Sequence, residues 1–118
     1  MAAKDELGRR GEDAAVEYLQ SRGLTVLDRN WRCRDGEIDV VASEPGRLVV
    51  CEIKTRSGTR YGEPAEAVTP LKANRIRAVT RAWLAAHTTD WCPVRFDVVA
   101  VLMRPGGPVT LQHFQDAF

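Results

Sequence analysis

Between Asp5 and Ser21, the residues Leu7, Gly11, Ala14, Ala15, Tyr18 and Leu19 recur at intervals of three and four, with Glu6, Arg10, Asp13, Glu17 and Gln20 in the gaps. This spacing gathers the apolar side chains onto one stripe and predicts an amphipathic helix, ended by Arg22-Gly23. The period then shortens. Thr25 to Leu27 predicts a short strand, followed by the basic and aromatic run Arg29-Asn30-Trp31-Arg32-Cys33-Arg34 and a turn at Asp35-Gly36. Glu37 to Ala42 and Leu48 to Thr55 read as two strands joined by a hairpin loop, Ser43 to Arg47. Ser57 to Pro64, with Gly58, Gly62 and Pro64, reads as an irregular loop. Thr69-Pro70 supplies an N-cap hydroxyl and a proline at the first helical position. Ile76, Val79, Ala82, Trp83 and Ala86 then mark the buried face of a second helix ending near His87. Val94 to Met103 predicts a fourth strand, Arg104 to Pro108 a turn, and Val109 to Phe114 a fifth strand. A helix, three strands, a helix and one or two strands indicate an α/β or α+β sheet covered by helices.

The chain has 118 residues, the size of one domain, so residues 1–118 are expected to form a single folding unit. No apolar run is long enough to span a bilayer, and Met1 to Arg10 is too polar for a secretory signal. The expected location is therefore the cytoplasm, with no membrane association. Cys33, Cys51 and Cys92 are widely spaced and suggest neither a disulfide framework nor a zinc site. His87 and His113 lie far apart with no metal-ligand spacing and are expected at the surface.

A formal net charge of +1 argues against coating nucleic acid by charge alone. The charge is unevenly distributed, however. From Lys54 to Arg81 seven basic residues face only Glu63 and Glu66. Solvated helix and loop positions would account for such a run, and a basic binding face is the alternative. Trp31 among Arg29, Arg32 and Arg34 could stack on a base or pack against the first helix.

Strand alternation puts Leu48, Val50, Glu52 and Lys54 on one face, and Glu37, Asp39 and Val41 together with Ile38, Val40 and Ala42 turned away. If the hairpin folds about Pro45-Gly46, Asp39 falls opposite Glu52 and Glu37 opposite Lys54. Pro-Gly favours a type II turn, which suits a tight hairpin poorly, so a longer loop could shift the pairing. Facing carboxylates about 5 Å apart repel each other. A hard divalent cation such as Mg²⁺ or Mn²⁺ would offset that repulsion. A cross-strand ion-pair network is the structural alternative, but burying a carboxylate in a strand this apolar is costly unless it is paired or bound to metal.

Gly36-Glu37-Ile38-Asp39, followed by Cys51-Glu52-Ile53-Lys54-Thr55-Arg56, resembles the PD-(D/E)XK nuclease superfamily and, over nearly the whole chain, the YraN family of uncharacterised bacterial proteins. Arg10-Gly11-Glu12, Arg29-Asn30, Gly62, Pro64, Lys72 and Phe96 to Val99 extend the resemblance, and the motif order is also similar to that of archaeal Holliday-junction resolvases. The name-giving Pro-Asp is Ile38-Asp39 here, and Cys51 precedes the glutamate; neither departure changes a ligand. The resemblance implies a restriction-endonuclease-like αβββαβ core with a mixed central sheet flanked by helices. It implies Asp39, Glu52 and the Ile53 carbonyl as metal ligands and Lys54 as the catalytic lysine. It also implies Glu12 near the metal, Glu37 and Thr55 in support, and Arg29, Arg56 and Lys72 toward nucleic acid; Arg32 beside Trp31 and Arg60 in the glycine-containing loop are expected there from the basic run itself. Asp97 matches a family position, for which a structural role is expected. The implied activity is a metal-dependent DNA endonuclease, selective for structure, with no organic cofactor and a homodimer as one arrangement. A nuclease-like module that binds DNA or recruits a partner without cutting is the alternative.

Overall fold

A computed structural model describes the backbone of residues 3–57, 68–87 and 92–118 and the side chains of residues 6–57, 68–87 and 92–118. The elements are α1 (Ala3–Ser21), β1 (Thr25–Cys33), β2 (Gly36–Glu44), β3 (Arg47–Arg56), α2 (Pro70–Ala86), β4 (Val94–Met103) and β5 (Val109–Phe114). The strands form one mixed sheet in chain order, with β3 and β4 parallel and the other neighbours antiparallel. This is the expected αβββαβ core with a fifth strand. Among the described residues no helix is long and apolar enough to cross a membrane.

The sheet separates two apolar layers. On the α1 side, Ala15, Val16 and Leu19 pack on Val40, Ala42, Cys51, Val99 and Val101. On the α2 side, Ile76, Val79, Trp83 and Leu84 pack on Ile38, Val41, Leu48 and Val50. Burying both faces explains why β3 reads as a near-continuous apolar run. The buried face of α2 uses Ala73, Thr80 and Leu84, whereas Ala82 is half-buried and Ala86 exposed, so the sequence reading set the face slightly off. The capping expectation holds: the Thr69 hydroxyl accepts the Lys72 N–H at 3.1 Å and Pro70 opens the helix.

β1 is three times the expected length because the basic and aromatic run continues the strand to Cys33. Its register slips between Val26 and Asp28, a bulge that leaves Leu27 46% exposed. Trp31 packs in the α2-side layer with an edge contact to His87, and not against α1.

His113 corrects the surface assignment. Its side chain is only 8% exposed, and its Nε2 lies 2.7 Å from Oδ2 of Asp97, itself fully buried. Arg95 donates to both Asp97 oxygens, at 2.9 and 3.0 Å, and the Asp116 N–H donates at 3.0 Å. Tyr18 of α1 meets His113 Nδ1 at 3.0 Å, which ties β4, β5 and α1 together. His87 caps α2 and stacks on Trp83 with ring centroids 4.1 Å apart.

Two stability predictions follow from this packing. Asp97→Ala leaves His113 Nε2 and two of the Arg95 donors without their buried acceptor, with Arg95 held by Glu44 alone, and is expected to cost about 3–5 kcal/mol in urea unfolding; a loss below about 1 kcal/mol would show the network to be dispensable. At Gly11, an added Cβ would overlap Thr55 Oγ1 and come within 2.8 Å of its Cβ. The helix-propensity gain of Gly11→Ala, about 1 kcal/mol, is set against an overpacking cost of about 1–3 kcal/mol. Because backbone-proximal atoms of Thr55 cannot swing aside, a net loss of stability is expected, and a variant with a higher melting temperature would refute the close docking of α1.

Candidate functional site

The hairpin closes as counted. Glu44 pairs with Arg47 around Pro45-Gly46, and the register continues to Val40 opposite Cys51. Gly46, at φ 78°, supplies the left-handed conformation that the two-residue turn requires. Beyond Val40 and Cys51 no further β2–β3 partners pair. There the carboxylates replace the ladder: the Ile53 N–H donates to Asp39 Oδ2 at 2.9 Å, and the Asp39 N–H donates to Glu52 Oε2 at 3.4 Å. Asp39 and Glu52 are brought together as expected, but across a parting between strands and not as an ordinary cross-strand pair.

A second distortion aims Asp39 into this gap. On the other edge of β2, Arg29 pairs with Val40 and Trp31 with Ile38, while Asn30 and Asp39 between them are unpaired. Asn30 has φ 52°, the left-handed region that asparagine tolerates better than most residues. The kink breaks strict alternation, so Ile38 joins Val41 in the α2-side layer instead of Val40 and Ala42 in the other. No hydrophobic pattern signals it. Asn30 carries the only cue, a residue type suited to positive φ in the middle of a strand.

Two cavities meet at the gap, and both are lined by Glu37 and Asp39. The one against α1, about 370 Å³, also contains Glu12, Asn30, Ile53, Lys54, Thr55 and Arg56. The one against α2, about 260 Å³, contains Glu52, Lys72 and Arg75. Thus Glu12, Glu37, Asp39, Glu52, Ile53, Lys54, Thr55, Arg56 and Lys72 all border one cleft. Arg60 lies outside the described residues.

Three of the candidate residues already have partners within the protein. Arg29 donates to Glu12 Oε1 at 3.0 Å and to Asp13 at 2.6 Å, so its guanidinium is engaged within the protein. Arg32 is likewise paired with Glu37 at 2.6 Å. Glu12 accepts Asn30 Nδ2 at 2.7 Å on the same oxygen that Arg29 holds, which draws it toward β1. Among the described residues no three His, Cys, Asp or Glu side chains gather closely enough to hold a metal ion. The closest carboxylate donors are Asp39 and Glu52, and Ile53 joins them through its N–H to Asp39. Arg77 of the basic run is spent on packing, 5.2 Å above the Phe96 ring.

Neither Asp39 nor Glu52 forms a salt bridge among the described residues. Burial, reinforced by the Asp39 charge, pushes the Glu52 carboxyl up to about 7. Asp39 is also raised, chiefly by burial, against the lowering influence of the Ile53 N–H. Lys54 is lowered to about 8, first by burial and then by Lys72 beside it. Burial raises the Cys51 thiol far above its usual range, which leaves it a poor nucleophile.

Between about 4.5 and 7, folded Glu52 keeps a proton that the unfolded chain has released. The folded state then binds more protons, so stability falls as pH rises through this window, by on the order of 3 kcal/mol. Lys54 acts in the opposite direction at higher pH: the unfolded chain binds the extra proton between about 8 and 10.5, so stability recovers there. Glu52→Gln is expected to flatten the fall and to be more stable than the parent near pH 8 in EDTA. A parent whose urea midpoint rises from about pH 5 to about pH 7 would contradict an uncompensated Glu52.

A family model described as "Uncharacterised protein family UPF0102" matches residues 11–101, a span containing every candidate residue above. The chain is 53% identical over 118 residues to a UPF0102 protein of Frankia alni, covering 100% of this chain and 98% of the relative. It is 56% identical over 112 residues to one from Kineococcus radiotolerans, covering 94% and 92%. A third, from Acidothermus cellulolyticus, is 47% identical over 127 residues, covering 99% and 96%.

Proposed function

The chain belongs to the uncharacterised protein family UPF0102, the YraN family of its sequence resemblance, and from the geometry of its cleft we propose that this is the active site of a divalent-metal-dependent endonuclease hydrolysing DNA phosphodiester bonds. One observation carries this reading: a buried carboxylate, Glu52, and a half-buried one, Asp39, share a gap in the sheet beside Lys54 without a salt-bridge partner among the described residues. Buried acids normally find such a partner, because leaving the charge uncompensated costs several kcal/mol. The donor set fits a hard cation. Each carboxylate spends one oxygen on a backbone N–H, leaving the other for coordination in an all-oxygen site.

Asp39 and Glu52 would hold Mg²⁺ or Mn²⁺. When bound, such an ion polarises a phosphoryl oxygen and lowers the pKa of water. Lys54, half-buried and titrating near 8, orients the attacking water and neutralises charge growing on the phosphate. Water attacks phosphorus, the bond to the leaving sugar oxygen breaks, and the proton released by the water ends on that oxygen or in solvent. Thr55 holds the end of β3 against Gly11 of α1, and Glu37 forms a wall shared by both cavities. Branched substrates, which expose flexible strands, suit a cleft set between two helices, and a role in recombination, repair or DNA processing follows from that preference.

The test is cleavage of single-stranded, duplex, flapped and four-way-junction DNA in Mg²⁺ or Mn²⁺. Asp39→Ala and Glu52→Ala are expected to abolish cleavage, as is EDTA. Lys54→Ala is expected to slow it by about 100-fold or more. Salt-sensitive DNA binding that survives Asp39→Ala and EDTA, with no cutting of any substrate, would instead establish a non-catalytic binding module.

A further inference from the structure

The cavity against α2 contains two cations that the hydrolytic step does not use. Lys72 and Arg75 lie one turn apart on α2, at a spacing that puts both on one helix face, and both line this cavity with Asp39 and Glu52. Lys72 is near enough to Lys54 to help lower its pKa. Neighbouring ammonium groups repel each other, and an anion shared between them relieves that repulsion. Arg75 forms no ion pair among the described residues, in contrast to Arg29 and Arg32, whose guanidiniums are taken by Glu12, Asp13 and Glu37.

The backbone provides for this placement of Arg75. Gly36 opens β2 at φ 141°, where other residues are strained, and a Cβ there would sit 3.6 Å from Arg75 Cδ. The Arg75 stem therefore lies over the β1–β2 turn at the cavity that it lines, and a guanidinium is a planar fork suited to paired hydrogen bonds to phosphate oxygens. The two cavities share Asp39 and Glu37, so a phosphate at Asp39, Glu52 and Lys54 sits on their common boundary. A strand crossing that boundary brings its neighbouring phosphate into the α2-side cavity.

We propose that Lys72 and Arg75 form a second anion subsite that takes the phosphate adjacent to the scissile one on the cleaved DNA strand. This rests on the nuclease reading and deepens it. The subsite fills only when the carboxylate charge is offset, because an anion entering beside bare Asp39 and Glu52 is repelled. Phosphate and metal binding are therefore coupled.

The probes are thymidine dinucleotides carrying a 5′-phosphate, a 3′-phosphate or neither, titrated by calorimetry with Ca²⁺ and, in parallel, with EDTA. With Ca²⁺, one phosphorylated form is expected to bind about 10-fold tighter than the unphosphorylated one. That gain disappears in Arg75→Gln and Lys72→Gln, and in EDTA. It persists in Arg81→Gln, which removes an exposed charge elsewhere on the same helix. Absence of any gain from either terminal phosphate, a gain that survives Arg75→Gln, or an equal loss in Arg81→Gln each overturns the subsite. The titration requires no turnover, so its failure is separate from a failure of the Asp39 and Glu52 variants to abolish cleavage.

Discussion

The site depends on an exchange of hydrogen-bond partners where β2 leaves β3. Below Val40 and Cys51 the strands satisfy each other's backbone groups, and above that point Asp39 and Glu52 take over with their side chains. A sheet that simply frayed would expose unpaired amides, which are expensive to bury. Carboxylates that cap those amides let the strands separate without orphaned donors, and the gap they open is the cleft. The same residues thus create the opening and supply its charge.

Among the described residues two acidic side chains are buried, Asp97 and Glu52, and the contrast between them shows which one is structural. Asp97 is fully buried, yet both its oxygens are engaged, by Arg95, His113 and the Asp116 amide. This is how a folded chain normally tolerates an interior carboxylate. Glu52 is 4% exposed and has no such company, and its carboxyl is pushed up to about 7 as a result. Burying an uncompensated acid makes no sense as packing, since an apolar residue of the same size would serve β3 better. Perturbed acids of this kind concentrate where a ligand completes the balance. The comparison is internal to one molecule, with the same sheet and similar burial on both sides.

How much of this was legible beforehand depends on whether local chemistry or tertiary geometry decided each feature. The helices, both hairpin strands and the exact extent of β4 and β5 follow from period, capping residues and turn composition, and the register through Pro45-Gly46 follows from counting. Strand β1 reads too short because Asp28 to Arg34 is mostly polar and lies at the sheet edge, where burial alternates only between exposed and half-buried and breaks at Arg29-Asn30. The Ile38 face and the kink at Asn30 were illegible for a different reason: strict alternation was assumed, and a left-handed residue in mid-strand breaks it. Arginine roles were the least readable. Arg29, Arg32 and Arg77 look like a nucleic-acid surface in one dimension, and only the fold shows that Glu12, Asp13, Glu37 and the Phe96 ring already engage them. The burial of His113 was missed because its partners, Asp97 and Tyr18, are 16 and 95 residues away.

That redistribution of arginines bears on how the cleft selects what it binds. With a net charge of +1 and several cations neutralised internally, the surface offers little of the unspecific attraction by which basic proteins collect nucleic acid. Of the described cations, Lys54, Lys72, Arg75 and Arg56 line the cavities beside the carboxylates. These cations and the two acids border the same cleft, and none of them forms a salt bridge among the described residues. A cation and a phosphate arriving together satisfy both, whereas either arriving alone meets repulsion from the group that it does not neutralise. On the nuclease reading, discrimination therefore comes from joint occupancy of a narrow cleft and owes little to long-range steering. On the same reading, a chain so close to neutrality would engage a phosphodiester backbone where a strand is led into the cleft rather than over the surface at large.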